Sequence, residues 1–211
     1  MQTLSAGHIY LVDDDASIRS ALAGTLERQG FSVTPYTSAA EFLKHATPVS
    51  PAVIVLDMRM PGLSGVELQA ELMCHGWTTP VIFISGESLP AQIVQAMKQG
   101  VGDFLLKPFS MQDLLAAVDR ALEQDRATHT VLIKARAVEK LYVTLTRRER
   151  EVFDAIIAGK TNKQVADADG SAAATIKLHR ARVLSKMQVD SAADLIALTS
   201  EIDISALKSR Q

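Results

Sequence analysis

The chain has 211 residues, 47% of them hydrophobic and 22% charged, proportions that exclude a largely disordered protein. No apolar run reaches the roughly 18–20 residues of a membrane-spanning helix, and the single cysteine, Cys74, excludes an intrachain disulfide. The formal charge of −2 hides a split: residues 1–125 carry 7 Lys+Arg against 14 Asp+Glu, and residues 126–211 carry 15 against 10. An acidic half thus precedes a mildly basic one, which points to two units with different partners.

In chain order, Ile9 to Val12 is a short apolar strand that runs into Asp13-Asp14-Asp15. The stretch before it, from Met1, has neither the basic cluster nor the apolar segment of a signal peptide, so a cytoplasmic protein with no membrane partner is expected. Ile18 to Gln29 has helical spacing and meets a stop at Gly30. Phe31 to Pro35 reads as an edge strand, because proline cannot donate to a ladder. Ser38 to Glu41 is a capping box opening the next helix.

Ala52 to Leu56, Val81 to Ile84 and Phe104 to Leu106 are short apolar runs rich in β-branched or aromatic residues, and they read as buried strands. Helices are expected between them at about Val66–Cys74 and Ala91–Gln99, and after them at about Met111–Leu122. Strands that alternate with helices imply a parallel sheet covered on both faces. From about Asp125 the strand signals stop. Arg126 to Val143 reads as a helical linker, and Thr146 to Glu149 as a second capping box. Four short helices are expected after it, the first ended by Gly159 and the others at about Asn162–Ala168, Ala173–Met187 and Ala192–Thr199.

Polar residues fall just past the strand ends: Asp13, Asp14 and Asp15 after the first, Asp57 after the third, Ser85 after the fourth, Lys107 after the fifth. In a doubly wound sheet these positions converge on the crevice at the topological switch point. Gathered carboxylates need a cation, and hard oxygen ligands suit Mg2+. A carboxylate there can act as a nucleophile towards phosphorus, with Lys107 and Ser85 to meet the phosphoryl oxygens. Any one of these residues alone reads as an ordinary loop residue; their conjunction points to a site. In the basic half, a helix, a turn containing Gly170 and a second helix bearing Thr175, Lys177, His179, Arg180 and Arg182 form a helix-turn-helix pattern. On spacing alone, a basic helix that merely solubilises a bundle fits this stretch equally well.

Two sets of motifs make the reading specific. Val12 to Asp15, Leu56 to Gly62, Ser64-Gly65, Ser85-Gly86 and Lys107-Pro108-Phe109 resemble the receiver domain of two-component response regulators. Leu145 to Val152, Gly159 to Ala166 and Thr175 to Arg180 resemble the LuxR-type helix-turn-helix of the NarL/FixJ response regulators. The resemblance implies a flavodoxin-like, doubly wound five-stranded α/β receiver (1–125), a helical linker (126–142) and a small all-α DNA-binding domain (143–211). It implies that Asp57 is the phosphoacceptor of a sensor histidine kinase, assisted by Lys107 and Ser85. Mg2+ would be held by Asp13, Asp14, Asp57 and the backbone carbonyl of Arg59, and Ser85 and Phe104 would form a switch pair. It further implies DNA contacts at promoter sites by Lys163, Thr175, Lys177, His179, Arg180 and Arg182, and a homodimer when phosphorylated. Asp15 is expected only to cap a helix. Such a protein accepts a phosphoryl group without being an enzyme in the full sense.

The chain departs from the pattern at Glu87-Ser88-Leu89, at Asp169 and Ser171 beside the turn glycine, and at Ala172 to Ala174, where a capping and polar segment is expected. A competing reading follows: a receiver-controlled regulator whose C-terminal domain has lost DNA binding and docks a protein. A haloacid-dehalogenase-type phosphatase would carry an acid two residues after its nucleophile, where this chain has Arg59.

Overall fold

A computed structural model describes residues 7–86, 103–200 and 202. The helix expected at Ala91–Gln99 and the departure at Glu87-Ser88-Leu89 lie outside these residues, as does the side chain of Asp169. The chain divides into two compact units, Met1–His129 and Thr130–Gln211.

The first unit is built on strands β1 (His8–Val12), β2 (Ser32–Tyr36), β3 (Ala52–Asp57), β4 (Val81–Ser85) and β5 (Asp103–Leu106). All pair in parallel, in the order β2-β1-β3-β4-β5. The edge position expected of the Pro35 strand is the one it takes. Side chains alternate across a strand, and here the alternation divides two cores. Ile9, Leu11, Val53, Val55, Ile82 and Ile84 face helix α1 (Ala16–Arg28) and the start of helix α4 (Met111–Tyr142), against Leu22, Leu26, Leu114 and Val118. Tyr10, Val12, Ile54, Leu56 and Phe83 face the other side, against Phe42 of α2 (Ala39–His45) and Leu68 and Leu72 of α3 (Gly65–Cys74). Every residue of β3 and β4 is buried, and each large side chain so buried contributes about 1.5–3 kcal/mol. Both faces being covered explains why these strands read as continuous apolar runs rather than alternating ones.

Local signals start the helices. Asp15 accepts hydrogen bonds from the amides of Ser17 and Ile18, the capping role expected of it. Ser38 caps α2 through the Glu41 amide, but Glu41 does not return the bond to Ser38. Its carboxylate instead accepts from the amide and hydroxyl of Thr37, both at 2.6 Å. These bonds hold the Glu41 carboxyl below its ordinary range. Sequence reading separates the helix after β5 from a helical linker. One continuous helix, α4, covers both, and from Met111 to Tyr142 there is no glycine or proline to interrupt it.

In the second unit, Val138 and Tyr142 of α4 pack with α5 (Arg147–Ile157), α7 (Ala173–Lys186) and α8 (Ala192–Ser200) around Phe153, Ile156, Val183 and Leu195. Helix α6 (Asn162–Asp169) lies against α7. Thr146 and Glu149 form the full capping box at the start of α5. Thr161 and Gln164 form another at the start of α6, legible as T-x-x-Q but not anticipated.

Candidate functional site

The switch point of the sheet lies between β1 and β3, and the expected residues meet there. Asp13 follows β1 and is 1% exposed; Asp57 ends β3 at 6%; Ser85 ends β4 at 1%. Lys107 follows β5, and its backbone amide donates to the Ser85 carbonyl at 2.8 Å, which fixes where its side chain starts. Its ammonium reaches back to donate to Asp57 Oδ1 at 2.8 Å and Asp13 Oδ2 at 3.1 Å. The other Asp57 oxygen, Oδ2, accepts from the Arg59 amide at 2.9 Å, and Asp13 Oδ1 accepts from the Asp15 amide at 2.9 Å.

These contacts set the electrostatics. Burial, the largest cause, pushes the Asp57 carboxyl above its ordinary value, with Asp13 adding to the rise, while the hydrogen bond and charge of Lys107 oppose it. For Lys107 burial favours the neutral amine, but the bonds and charges of Asp57 and Asp13 together outweigh it and raise the pKa. The result is a nearly buried carboxylate, more basic than usual, with the Lys107 ammonium against it.

The loop beyond β3 is shaped by Gly65. A Cβ there would collide with the Asp57 carbonyl oxygen and crowd Met58 Cα and the Phe83 ring at 3.1 Å each. Ser64 and Glu67 cap α3 immediately beside it.

Sequence reasoning gathers three carboxylates; the geometry brings two together under one ammonium. Asp14 is exposed, and among the described residues no group of three or more His, Cys, Asp or Glu side chains stands ready around a common point. The donor chemistry still fits Mg2+: carboxylate oxygens on Asp13 and Asp57, Asp14 next to them in the chain, and a backbone carbonyl on Arg59, all hard oxygen ligands. Phe104, half-buried, packs against the core on the α2/α3 side of the sheet.

In the second unit the turn between α6 and α7 passes through Gly170 at φ +71°, the left-handed conformation that glycine adopts without strain. Ser171, where an apolar residue is expected, turns out to accept a hydrogen bond from Arg148 Nη2 at 3.0 Å. The N-cap of α7 is Ala172, which offers no side-chain bond. Thr175, Lys177 and Arg182 of α7 are exposed, as is Lys163 near the start of α6. His179 and Arg180 are only partly exposed. Nδ1 of His179 is buried with no hydrogen-bond partner among the described residues, and Arg180 donates to the Lys160 carbonyl at 3.1 Å, tying α7 to the loop before α6. The roles of Arg148 and Lys160 escape sequence reasoning, since each depends on a partner 20 or more residues away.

Comparison with known proteins matches the same two units. Residues 9–119 match the response regulator receiver domain family, and residues 143–199 match the luxR family of bacterial regulatory proteins. Nodulation protein W of Bradyrhizobium diazoefficiens is 39% identical over 96% of this chain and 89% of its own length. Transcriptional regulatory protein FixJ of the same organism is 36% identical over 91% of this chain and 94% of its own length. Among solved structures, response regulator StyR superposes with a TM-score of 0.78 at 37% identity, covering 93% of this chain and 99% of that one. Full-length FixJ from B. japonicum gives 0.58 at 35% identity over 93% of this chain and 97% of that one.

Proposed function

We propose, because the chain belongs to the response regulators that join a receiver domain to a LuxR-type DNA-binding domain, that a phosphoryl group on Asp57 controls how it engages promoter DNA. Membership makes a sensor kinase and DNA its partners. The finer assignments are our own: receiver 1–125, linker 126–142, DNA-binding domain 143–211, a histidine kinase as donor, a cytoplasmic location, and a homodimer formed on phosphorylation. The observation that carries the reading is the buried Asp57 carboxylate at the switch point, 2.8 Å from the Lys107 ammonium.

In the proposed reaction an Asp57 oxygen attacks phosphorus, the bond to the donor breaks, and an aspartyl phosphate forms. Burial makes that oxygen more basic, the property wanted of a nucleophile. The Arg59 amide on Oδ2 and Lys107 on Oδ1 fix the carboxylate plane before attack. Lys107, and the hydroxyl of Ser85 at the end of β4, are proposed to meet the new oxygens. Mg2+, held by Asp13, Asp14, Asp57 and the Arg59 carbonyl, would neutralise charge on the phosphoryl oxygens.

The product carries about −1.5 to −2 charges and three strong acceptors. Ser85 moving towards it, with Phe104 repacking, is the proposed bistable element. Dimerisation would then pair two weak DNA-binding modules and raise their joint affinity. In the second unit Lys163, Thr175, Lys177 and Arg182 are proposed to contact DNA directly. His179 and Arg180, by the placement of their side chains, are proposed to hold α7 in position for it.

The test is incubation with Mg2+ and acetyl phosphate, read by intact mass. A gain of one phosphoryl group by wild type and none by Asp57→Asn is expected. No gain in a folded wild-type chain would sink the proposal.

A further inference from the structure

The outward face of α7 is apolar along its centre. Ile176 and Val183 are fully buried and mark the inward face. Leu178 is two residues beyond Ile176, about 200° around the helix, and is 52% exposed. Ala174 lies four residues before Leu178 and Ala181 three after it, so the three share one face, and both alanines are exposed. Lys177 flanks this strip on one side, and Thr175 and Arg182 flank it on the other; all three are exposed. Of the polar groups nearest the inward face, Arg180 donates to the Lys160 carbonyl, and Nδ1 of His179 is buried.

A single exposed leucine needs no explanation. A leucine set between two alanines and bordered by cations, on the second helix of a helix-turn-helix, presents a definite surface: an apolar ridge with cationic flanks. In the major groove the apolar group available to such a ridge is the C5-methyl of thymine.

We infer that α7 selects its sites by packing Leu178, with Ala174 and Ala181 beside it, against thymine methyl groups. Leu178 is then the specificity-determining residue, and Lys177 and Arg182 supply phosphate or base-edge donors around it. The inference rests on the reading of this unit as a DNA-binding domain, and adds the class of base it prefers.

The test uses the full-length chain, with and without acetyl phosphate. Duplexes are selected from a random library at low salt, and the bound sequences are remade with deoxyuridine in place of thymine, which removes only the methyl group. Wild type is expected to enrich A·T pairs at the centre of each half-site, and to lose about fourfold in affinity per contacted methyl, the worth of one buried methyl group. Leu178→Ala, a substitution of an exposed residue by a good helix former, is expected to bind with less than about twofold sensitivity to the same exchange. Equal binding of thymine and deoxyuridine duplexes by wild type overturns the inference and leaves the DNA-binding reading standing. So does a Leu178→Ala protein that keeps the full penalty. If no duplex is retained at low salt, the DNA-binding reading fails and the inference falls with it.

Discussion

Arg148, in the first turn of α5, donates to the hydroxyl of Ser171 at 3.0 Å, joining that helix to the turn that opens α7. The same guanidinium pairs with Glu151 through Nη1 at 2.8 Å. A polar residue in a turn where an apolar one is expected would cost stability if it stood alone. Here it completes a tertiary contact between two segments of the helix-turn-helix.

The contact predicts a measurable coupling. Arg148→Ala and Ser171→Ala are each expected to destabilise the C-terminal unit, and the double variant less than their sum, with an interaction energy of about 1 kcal/mol. Urea unfolding of the full chain and the two single and one double variants measures it. Strict additivity would show that the bond contributes nothing.

Glu149 and Lys186 form an ion pair in the same unit. Lys186 Nζ lies 2.6 Å from Glu149 Oε2, and the carboxylate also accepts from the amide of Thr146. The Lys186 bond first, then the Thr146 bonds, lower the Glu149 pKa from 4.5 to about 2. A depressed acid stabilises the fold at pH values above its unfolded pKa and loses that contribution as pH falls through the folded one. The C-terminal unit should therefore lose stability from about pH 4.5 down to about pH 2. Glu149→Gln keeps a capping side chain but not the charge, so its unfolding free energy should be lower at pH 7 and flatter across that window. A wild-type profile as flat as that of the variant would rule the pair out as a source of stability.

Where sequence reasoning succeeded and where it stopped follows from how local each signal is. The strands were legible because β3 and β4 are buried on both faces and so read as unbroken apolar runs. The crevice was legible because parallel topology sends every strand's carboxyl end to one edge, whatever the sequence distance between Asp13 and Lys107. The unity of α4 was obscured by a charge change near Asp125, though charge does not end a helix and no breaker stands there. Leu178 carries no sequence signal of its own, because an apolar residue in a helix is more often core. Only its angle from Ile176 and its exposure separate it from the core. The bonds of Arg148 to Ser171 and Arg180 to Lys160 depend on packing and have no local trace.

At the receiver site, Asp13 and Asp57 share one ammonium within a nearly buried pocket. A divalent cation that binds this arrangement only in the folded state must stabilise it. Millimolar Mg2+ is expected to stabilise the wild-type receiver by roughly 2–3 kcal/mol at a hundredfold excess over the dissociation constant, and so to raise its unfolding midpoint. EDTA should reverse the effect, and Asp57→Asn should lose most of it. Thermal scans monitored by circular dichroism provide the comparison, and an unchanged wild-type midpoint would remove Mg2+ from the proposal.

Gly65 tests how closely the site depends on its backbone. An added methyl group meets the Asp57 carbonyl oxygen, Met58 Cα and the Phe83 ring, all of them in the packed core or the backbone. Gly65→Ala should cost about 1–3 kcal/mol, as overpacking does, and should slow phosphorylation because the end of β3 must shift. Wild-type stability together with a wild-type rate of mass gain would show that the loop moves without affecting Asp57.

The start of α7 offers a change in the opposite direction. Ala172 stands at the N-cap with φ −73° and ψ 135°, extended backbone of the kind that capping residues adopt, yet it provides no acceptor for the first amides of the helix. Serine fits the same backbone and can bond one of them, so Ala172→Ser should stabilise the C-terminal unit by about 1 kcal/mol. The change adds no charge and leaves Leu178 and the flanking cations in place. Affinity for DNA should therefore hold or rise, and preference for thymine over deoxyuridine should not change. Urea unfolding and binding to the selected duplexes measure the two effects separately. A gain in stability with lost thymine preference would show that the first turn of α7, rather than its apolar centre, contacts the bases.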